Sequence, residues 1–393
     1  MARKMKDSGI EWIGEIPEGW ETQKLKYYAT VTSGEILSKD EYDFSGDIPV
    51  IGSNGKIGTT YKSNNHSEVI TTGRVGTIGT AQIVQDAWIT DNALIIKSHS
   101  ISRPFLTYVI PNFDFKFMLS GTAQPLITAT KLKNQYIPVP SNEVQDKIVQ
   151  YLNTQIFNLS HLISQICSSI ELYKKFKQAV ITQAVTKGVR DEREMKDSGV
   201  EWIGEINHRF SLIKLKYICS ILDQYRKPIS ADKRSQSGSV LYDYYGASGA
   251  IDKIDDYTID DHVMLIGEDG ANLRMRNLPL MYEVNGKAWI NNHAHILKPT
   301  ERVDFYYLFY ALEGLDINPY ITGSAQPKLS QENLQNIWVP LPSLEEQHEI
   351  ASYICSKCAE IDGLIAKKEQ LVKELESYKK SLIYEVVTGK REV

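Results

Sequence analysis

Several short stretches of this chain hold residues that can do chemistry. Cys355-Ser356-Lys357-Cys358 has the two-thiol spacing of a redox or zinc site. The chain has no second cysteine pair, and the surrounding periodicity is helical, so both thiols read as small packing groups. His293-Ala294-His295 could offer two imidazoles to a metal from one face of a strand, but no third ligand accompanies it. Gly267-Glu268-Asp269-Gly270 has carboxylates in a tight turn. Its counterpart Gly73-Arg74-Val75-Gly76 has none, which argues against a metal. Thr388-Gly389-Lys390 lacks the glycines of a nucleotide-binding loop. Asn318-Pro319-Tyr320 is one proline short of the adenine-methyltransferase motif. No complete catalytic motif or nuclease cluster is present, and the expectation is a binder with no catalytic residues and no metal.

What remains is a set of polar and basic loop residues. In the first half they are Lys56, Lys62, Asn64, Arg74 and Arg103; in the second, Tyr225, Arg226, Lys227, Lys233, Arg234, Asn272, Arg274 and Arg276. Arginine and asparagine pair bidentately with guanine and adenine edges, so these are the candidate DNA-binding side chains. The net charge of −5 and the pI near 6.0 are those of a chain that does not hold DNA strongly by itself. The 393 residues suffice for two or three domains. No apolar run predicts a membrane span, and the N-terminus lacks a signal-peptide core. With four scattered cysteines, a reducing cytoplasm is expected.

These loops sit inside a repeat. Met5-Lys6-Asp7-Ser8-Gly9 returns as Met195-Lys196-Asp197-Ser198-Gly199, an offset of 195 − 5 = 190. Gly121-Thr122-Ala123-Gln124-Pro125 returns as Gly323-Ser324-Ala325-Gln326-Pro327, an offset of 323 − 121 = 202. The second copy is thus twelve residues longer between these points. The ends of each copy match closely and the middles diverge. That is the pattern of a fixed frame carrying two different readers.

The frame is helical. Between Asn142 and Thr186 there is neither proline nor glycine, and Leu152, Ile156, Leu159, Ile163, Ile166, Ile170, Tyr173, Val180 and Ala184 recur at heptad spacing. The second copy repeats this stripe from Ile354 to Val386, with Lys368 as a flaw and Lys177 and Lys379 as matched interruptions. Two seams of this length, each about 65 Å if fully helical, predict an antiparallel pair with the readers at opposite ends and a pseudo-twofold relation. Ser343 with Glu346 makes a capping box at the second start; Ser141 with Val144 makes a weaker one. The middles, with short β-rich runs and glycine turns, predict curved, mostly antiparallel sheets, each with one helix near 104–109 or 305–312. The expected fold class is α+β: two mixed α/β domains joined by two long antiparallel helices forming a coiled coil. The predicted boundaries are 1–141, 142–190, 191–342 and 343–393.

In this ordered, duplicated set, from Asp7 to Pro17 and from Asp197, then the two Gly-x-Ala-Gln-Pro stretches, each followed by Pro-x-Pro and a long helix, the chain resembles the specificity (S) subunit of type I restriction–modification enzymes. The resemblance runs along the whole chain. It departs at Asn207-His208-Arg209-Phe210, where the first copy has Pro17-Glu18-Gly19-Trp20. It implies that each variable segment is a target recognition domain reading one half of a split, asymmetric sequence in double-stranded DNA. It implies that the helices set the spacer and dock two methyltransferase subunits, and that motor-nuclease subunits join them. The cofactors it implies, S-adenosylmethionine, ATP and Mg, belong to those partners and not to this chain. The rival readings are a coiled-coil scaffold with two protein-binding β-domains and a stand-alone methyltransferase or nuclease.

Overall fold

The computed structural model describes residues 3–43, 45–119, 126–191, 194–231, 234 and 240–393. The chain forms two compact units. One comprises residues 1–167 with 370–393, the other residues 168–369. Both long helices are present, Asn142–Lys187 and Leu344–Val387, and each contributes one part to each unit. The division therefore runs through both long helices, because each sheet domain packs on the start of one long helix and the end of the other.

The first unit holds a four-stranded sheet in the order 29–33, 93–98, 69–73, 81–84 and a three-stranded sheet in the order 55–60, 48–52, 88–89. All pairings are antiparallel except 48–52 with 88–89, where Val50 lies beside Trp88. The second unit fuses the equivalent strands into one six-stranded sheet, because a single strand, Met281–Ile290, does the work of 81–84 and 88–89. Its parallel pair sets Tyr244 beside Trp289. The alternation of β-branched and aromatic residues with glycine turns specifies these strands.

Each core joins sheet to helix ends. In the first unit Ile70, Leu94, Ile96, Phe105 and Leu106 pack with Ile148, Leu152, Leu382 and Val386. In the second, Met264, Ile266, Leu297, Tyr307 and Leu308 pack with Ile181, Val185, Ile350 and Ile354. Each fully buried side chain of this size stabilises by about 1.5–3 kcal/mol.

The helices pair antiparallel within each unit. In the second, Lys177 Nζ lies 2.6 Å from Asp362 Oδ2, and Arg190 clasps Glu349 through Nε and Nη2 at 2.7 and 2.8 Å. Both pairs sum to the same number, 177 + 362 = 190 + 349 = 539, the signature of one antiparallel register. In the first unit Lys379 Nζ lies 2.9 Å from Ser160 Oγ, and 379 + 160 is again 539. The matched seam lysines thus reach across to the facing helix. Their stems stay along the seam while the ammonium escapes to its edge.

Two further clasps repeat. Gln145 and Gln347, 202 residues apart, are buried at the two helix starts. Each accepts a backbone N–H at the start of the short domain helix (Ser102 N, 2.9 Å; Asp304 N, 2.8 Å) and donates to the proline carbonyl before its own helix (Pro140, 2.9 Å; Pro342, 3.0 Å). The best-matched sequence forms hairpins, Met5–Asp7 with Glu15–Pro17 and Met195–Asp197 with Glu205–Asn207. The first holds the end of the second long helix, with Tyr384 Oη donating to Ile13 O at 3.2 Å. The second holds the end of the first long helix, with Asn207 Nδ2 donating to Lys187 O at 3.1 Å.

Candidate nucleic-acid interface

In each unit the most divergent loops gather at one end of the sheet. In the first unit Arg74 N donates to Asn92 O (2.9 Å), Ile127 N to Arg74 O (2.9 Å) and Thr80 Oγ1 to Ser53 O (3.0 Å). Four chain segments therefore meet there. The second unit reproduces the pattern: Glu268 N donates to His293 O (2.8 Å) and Leu329 N to Glu268 O (2.8 Å). A Cβ on Gly267 would stand 2.7 Å from Ala247 O, which is why glycine is required where the hairpin turn presses on the strand end. From Gly267 to Ala288 the offset between copies grows from 267 − 73 = 194 to 288 − 87 = 201. Six of the twelve extra residues enlarge the loop 268–280 over its counterpart 74–80, where the short helix Asn272–Met275 forms, and a seventh falls in the strand that follows.

The candidate residues divide by what their side chains already hold. Lys56, beside the hairpin turn, and Lys227 are exposed and hold no ion pair among the described residues. Tyr225, two residues before Lys227, is also exposed. Arg74 lies in the loop cluster and donates one bond, to Asp91 O at 3.3 Å, while its buried Nε has no partner. Lys62 pairs with Glu41, and Asn64 holds both the N–H (2.8 Å) and the carbonyl (2.9 Å) of Ile89. Arg103 pairs with Glu68 at 2.7 Å. Because Glu68 precedes the strand Val69–Gly73 and Arg74 follows it, the structure does not bring Arg103 to the loop cluster.

The second unit's arginines are mostly committed internally. Arg226 lies between Asp223 (3.1 Å) and Glu268 and is largely buried. Burial pushes the Glu268 carboxyl up, but the bonds from Arg226 and Lys328 outweigh it and hold the carboxyl below its ordinary value. Asp223 also accepts from His295 Nδ1 at 2.6 Å, and His295 Nε2 meets Leu329 O at 2.8 Å, so His295 is a core tie between strand and loop. Arg234 pairs with Asp252 at 2.9 Å and covers the Tyr244 ring at 4.1 Å. Asn272 closes its own loop on Leu278 and Pro279. Arg274 donates to Ile321 O at 3.1 Å. Arg276 stands in the left-handed region (φ 50°) and its guanidinium caps the helix Phe305–Gly314, donating to Glu313 O (2.6 Å) and Leu315 O (2.7 Å). Burial lowers its pKa. Lys233 lies outside the described residues.

Sequence reasoning passed over one pair of loop residues. Ile57 and Ile251 follow the two hairpin turns at the same place, 251 − 57 = 194, and are 53% and 55% exposed. Each rests against the glycine that precedes its turn, Gly52 or Gly246. The shared Gly-x-Ile of 55–57 and 249–251 was the available signal. An exposed aliphatic side chain in such a loop suits contact with a thymine methyl or a base step.

Two stretches, residues 17–172 and 208–374, match the family model described as the type I restriction modification DNA specificity domain. They cover most of the chain, which belongs to this family: it is a specificity subunit, a component that selects DNA and is not itself the catalyst. A putative type I restriction enzyme MjaX specificity subunit of Methanocaldococcus jannaschii is 27% identical, over 96% of this chain and 95% of that protein. A putative specificity subunit of Haemophilus influenzae is 31% identical, but over only 42% of this chain and 38% of its own length. Among solved structures, a chain from work on complex assembly and conformational transition of the type I R-M system aligns with a TM-score of 0.70 over 96% of this chain and 99% of that chain, at 15% identity. That likeness concerns the fold.

Proposed function

We propose that each unit presents one target recognition domain, that each reads one half of a split, asymmetric site in double-stranded DNA, and that the helix pair sets the gap. The observation that carries this reading is the contrast within the chain. Both units use one helix register, one buried-glutamine clasp and one hairpin clasp. The loop clusters they hold differ in nearly every side chain. A fixed frame with unlike readers selects two unlike half-sites at a set separation.

Two methyltransferase subunits dock on the helices, bring S-adenosylmethionine and methylate adenine; motor-nuclease subunits with ATP and Mg complete the complex, in the cytoplasm. Exposed apolar side chains support the docking. Leu162 and Phe176 on the first long helix match Leu364 and Tyr378 on the second at the 202-residue offset (364 − 162 = 378 − 176 = 202), and all four are exposed. Apolar surface at matched places on both helices fits two copies of one partner. No helix among the described residues is long and apolar enough to cross a membrane.

Methylome sequencing of a host given this chain and its partner genes tests the proposal. One bipartite asymmetric motif with a fixed gap is expected. A palindromic or continuous motif, or methylation that persists without this chain, would overturn it.

A further inference from the structure

The Gly-x-Ala-Gln-Pro loop is matched between readers whose other loops diverge. Four of its five residues are identical at 121–125 and 323–327, and the fifth keeps a hydroxyl as Thr122 or Ser324. In the second unit it is also one of the most exposed parts of the domain: residues 322–326 are all exposed. Packing explains only its ends. Gly323 has φ 78°, and a Cβ there would stand 2.4 Å from Gln326 O. Pro327 is buried. The Ser324 hydroxyl, the Gln326 carboxamide and the backbone N–H groups of residues 323–326 have no partner among the described residues.

This loop is fastened to the divergent loop. Thr322 and Lys328 exchange backbone bonds at 2.9 and 2.8 Å, and Gly270 N donates to Pro327 O at 3.0 Å. Leu329 N donates to Glu268 O, as Ile127 N does to Arg74 O in the first unit. The matched loop is thus held beside the segment that differs most between copies.

Resting on the specificity reading, we propose that the loop 322–328 of the second unit grips the DNA sugar–phosphate backbone and positions its reader without reading sequence; the first copy, 121–125, lies outside the described residues and enters only by its matched sequence. Two readers of different bases share only what the half-sites share, and phosphates are the same in both. The chemistry fits. Glycine, serine and alanine let a strand approach closely, and the free N–H, hydroxyl and carboxamide groups donate to phosphate oxygens. Between residues 322 and 328 no large apolar side chain is exposed, whereas the core of a protein interface is built from such groups.

The test uses the full chain assembled with its methyltransferase subunit, a duplex carrying the methylated motif and an unrelated duplex. The Ser324→Ala/Gln326→Ala double variant is expected to bind both duplexes more weakly by the same factor, on the order of a hundredfold or more for two lost hydrogen bonds to charged oxygens. Its ratio of affinities, salt slope and melting temperature stay as in the unaltered complex. Ser324→Thr, the residue of the first copy, restores binding. Unchanged affinity for both duplexes would overturn the proposal. So would a preference relaxed at one base position, which marks a base reader, or weaker assembly without DNA, which marks a protein contact. An unaltered complex that binds both duplexes equally overturns the specificity reading instead. Loss of binding to the unrelated duplex in the double variant still supports the loop.

Discussion

Lys177 meets a carboxylate on the facing helix, Asp362, at 2.6 Å, while Lys379, its counterpart 202 residues later, meets only the Ser160 hydroxyl at 2.9 Å. The register is the same and the partner differs in charge. Ser160→Asp is therefore expected to give the first unit the ion pair that the second has. Both groups of the existing pair are part-exposed, so the gain is about 0.2–1 kcal/mol and shrinks with salt. A double-mutant cycle of Ser160→Asp with Lys379→Met, read by chemical denaturation at low and high salt, checks it. No coupling at low salt would mean the lysine does not hold this register in solution.

Arg276 and Lys227 are both cations of the second reader, but their surroundings assign them opposite phenotypes. Arg276→Ala strips the helix Phe305–Gly314 of a charged cap on two carbonyls and is expected to cost about 2–3 kcal/mol of stability. Lys227→Ala removes an exposed ammonium. It leaves melting unchanged and lowers DNA affinity with a salt slope smaller by about one. Thermal melting beside salt-titrated DNA binding separates the two. An Arg276→Ala protein of unchanged stability would return that residue to the readers.

Glu313 gives a pH signature. Burial raises its carboxyl above the ordinary value, and the bonds from Leu280 N and Met281 N, both 2.9 Å, offset this only in part. The folded state therefore binds this proton more tightly than the unfolded chain. Stability from this group is fully present below the unfolded carboxyl pKa and is lost as pH rises through the raised folded value. Glu313→Gln keeps an oxygen for the two N–H groups and carries no charge. It is expected to flatten the stability curve over that window, measured by urea denaturation across pH. An unaltered slope would assign the pH dependence elsewhere.

The frame was legible in the sequence because its determinants are periodic or duplicated. Heptad spacing placed the starts of both long helices to within a residue, while the predicted segments, to 190 and 393, overran the helix ends at Lys187 and Val387. The site was less legible. A string shows that Arg226, Arg234, Arg274 and Arg276 are cationic. It does not show that carboxylates and carbonyls from segments 18 to 47 residues away already engage them. Such ties depend on which loops the sheet brings together, and that is tertiary information. The buried Gln145 and Gln347 could have been found from their shared 202-residue offset, but polar residues at a helix start look like ordinary surface.

The helix register also makes the ruler testable without touching a reader. Within the first unit residues 161–167 face 372–378, since 161 + 378 and 167 + 372 are both 539, the sum shown by Ser160–Lys379 and by Lys177–Asp362. Deleting both heptads keeps the seam in phase and preserves both lysine contacts. Each helix shortens by about 10 Å, which is about three base pairs of B-form DNA. A chain so altered is expected to direct methylation to the same two half-sites with a gap about three base pairs smaller. Deleting one heptad alone breaks the register and is expected to abolish specific methylation. If the matched deletion left the gap unchanged while the half-sites shifted, the helices would not be the ruler. Spacing would then have to come from the partner subunits.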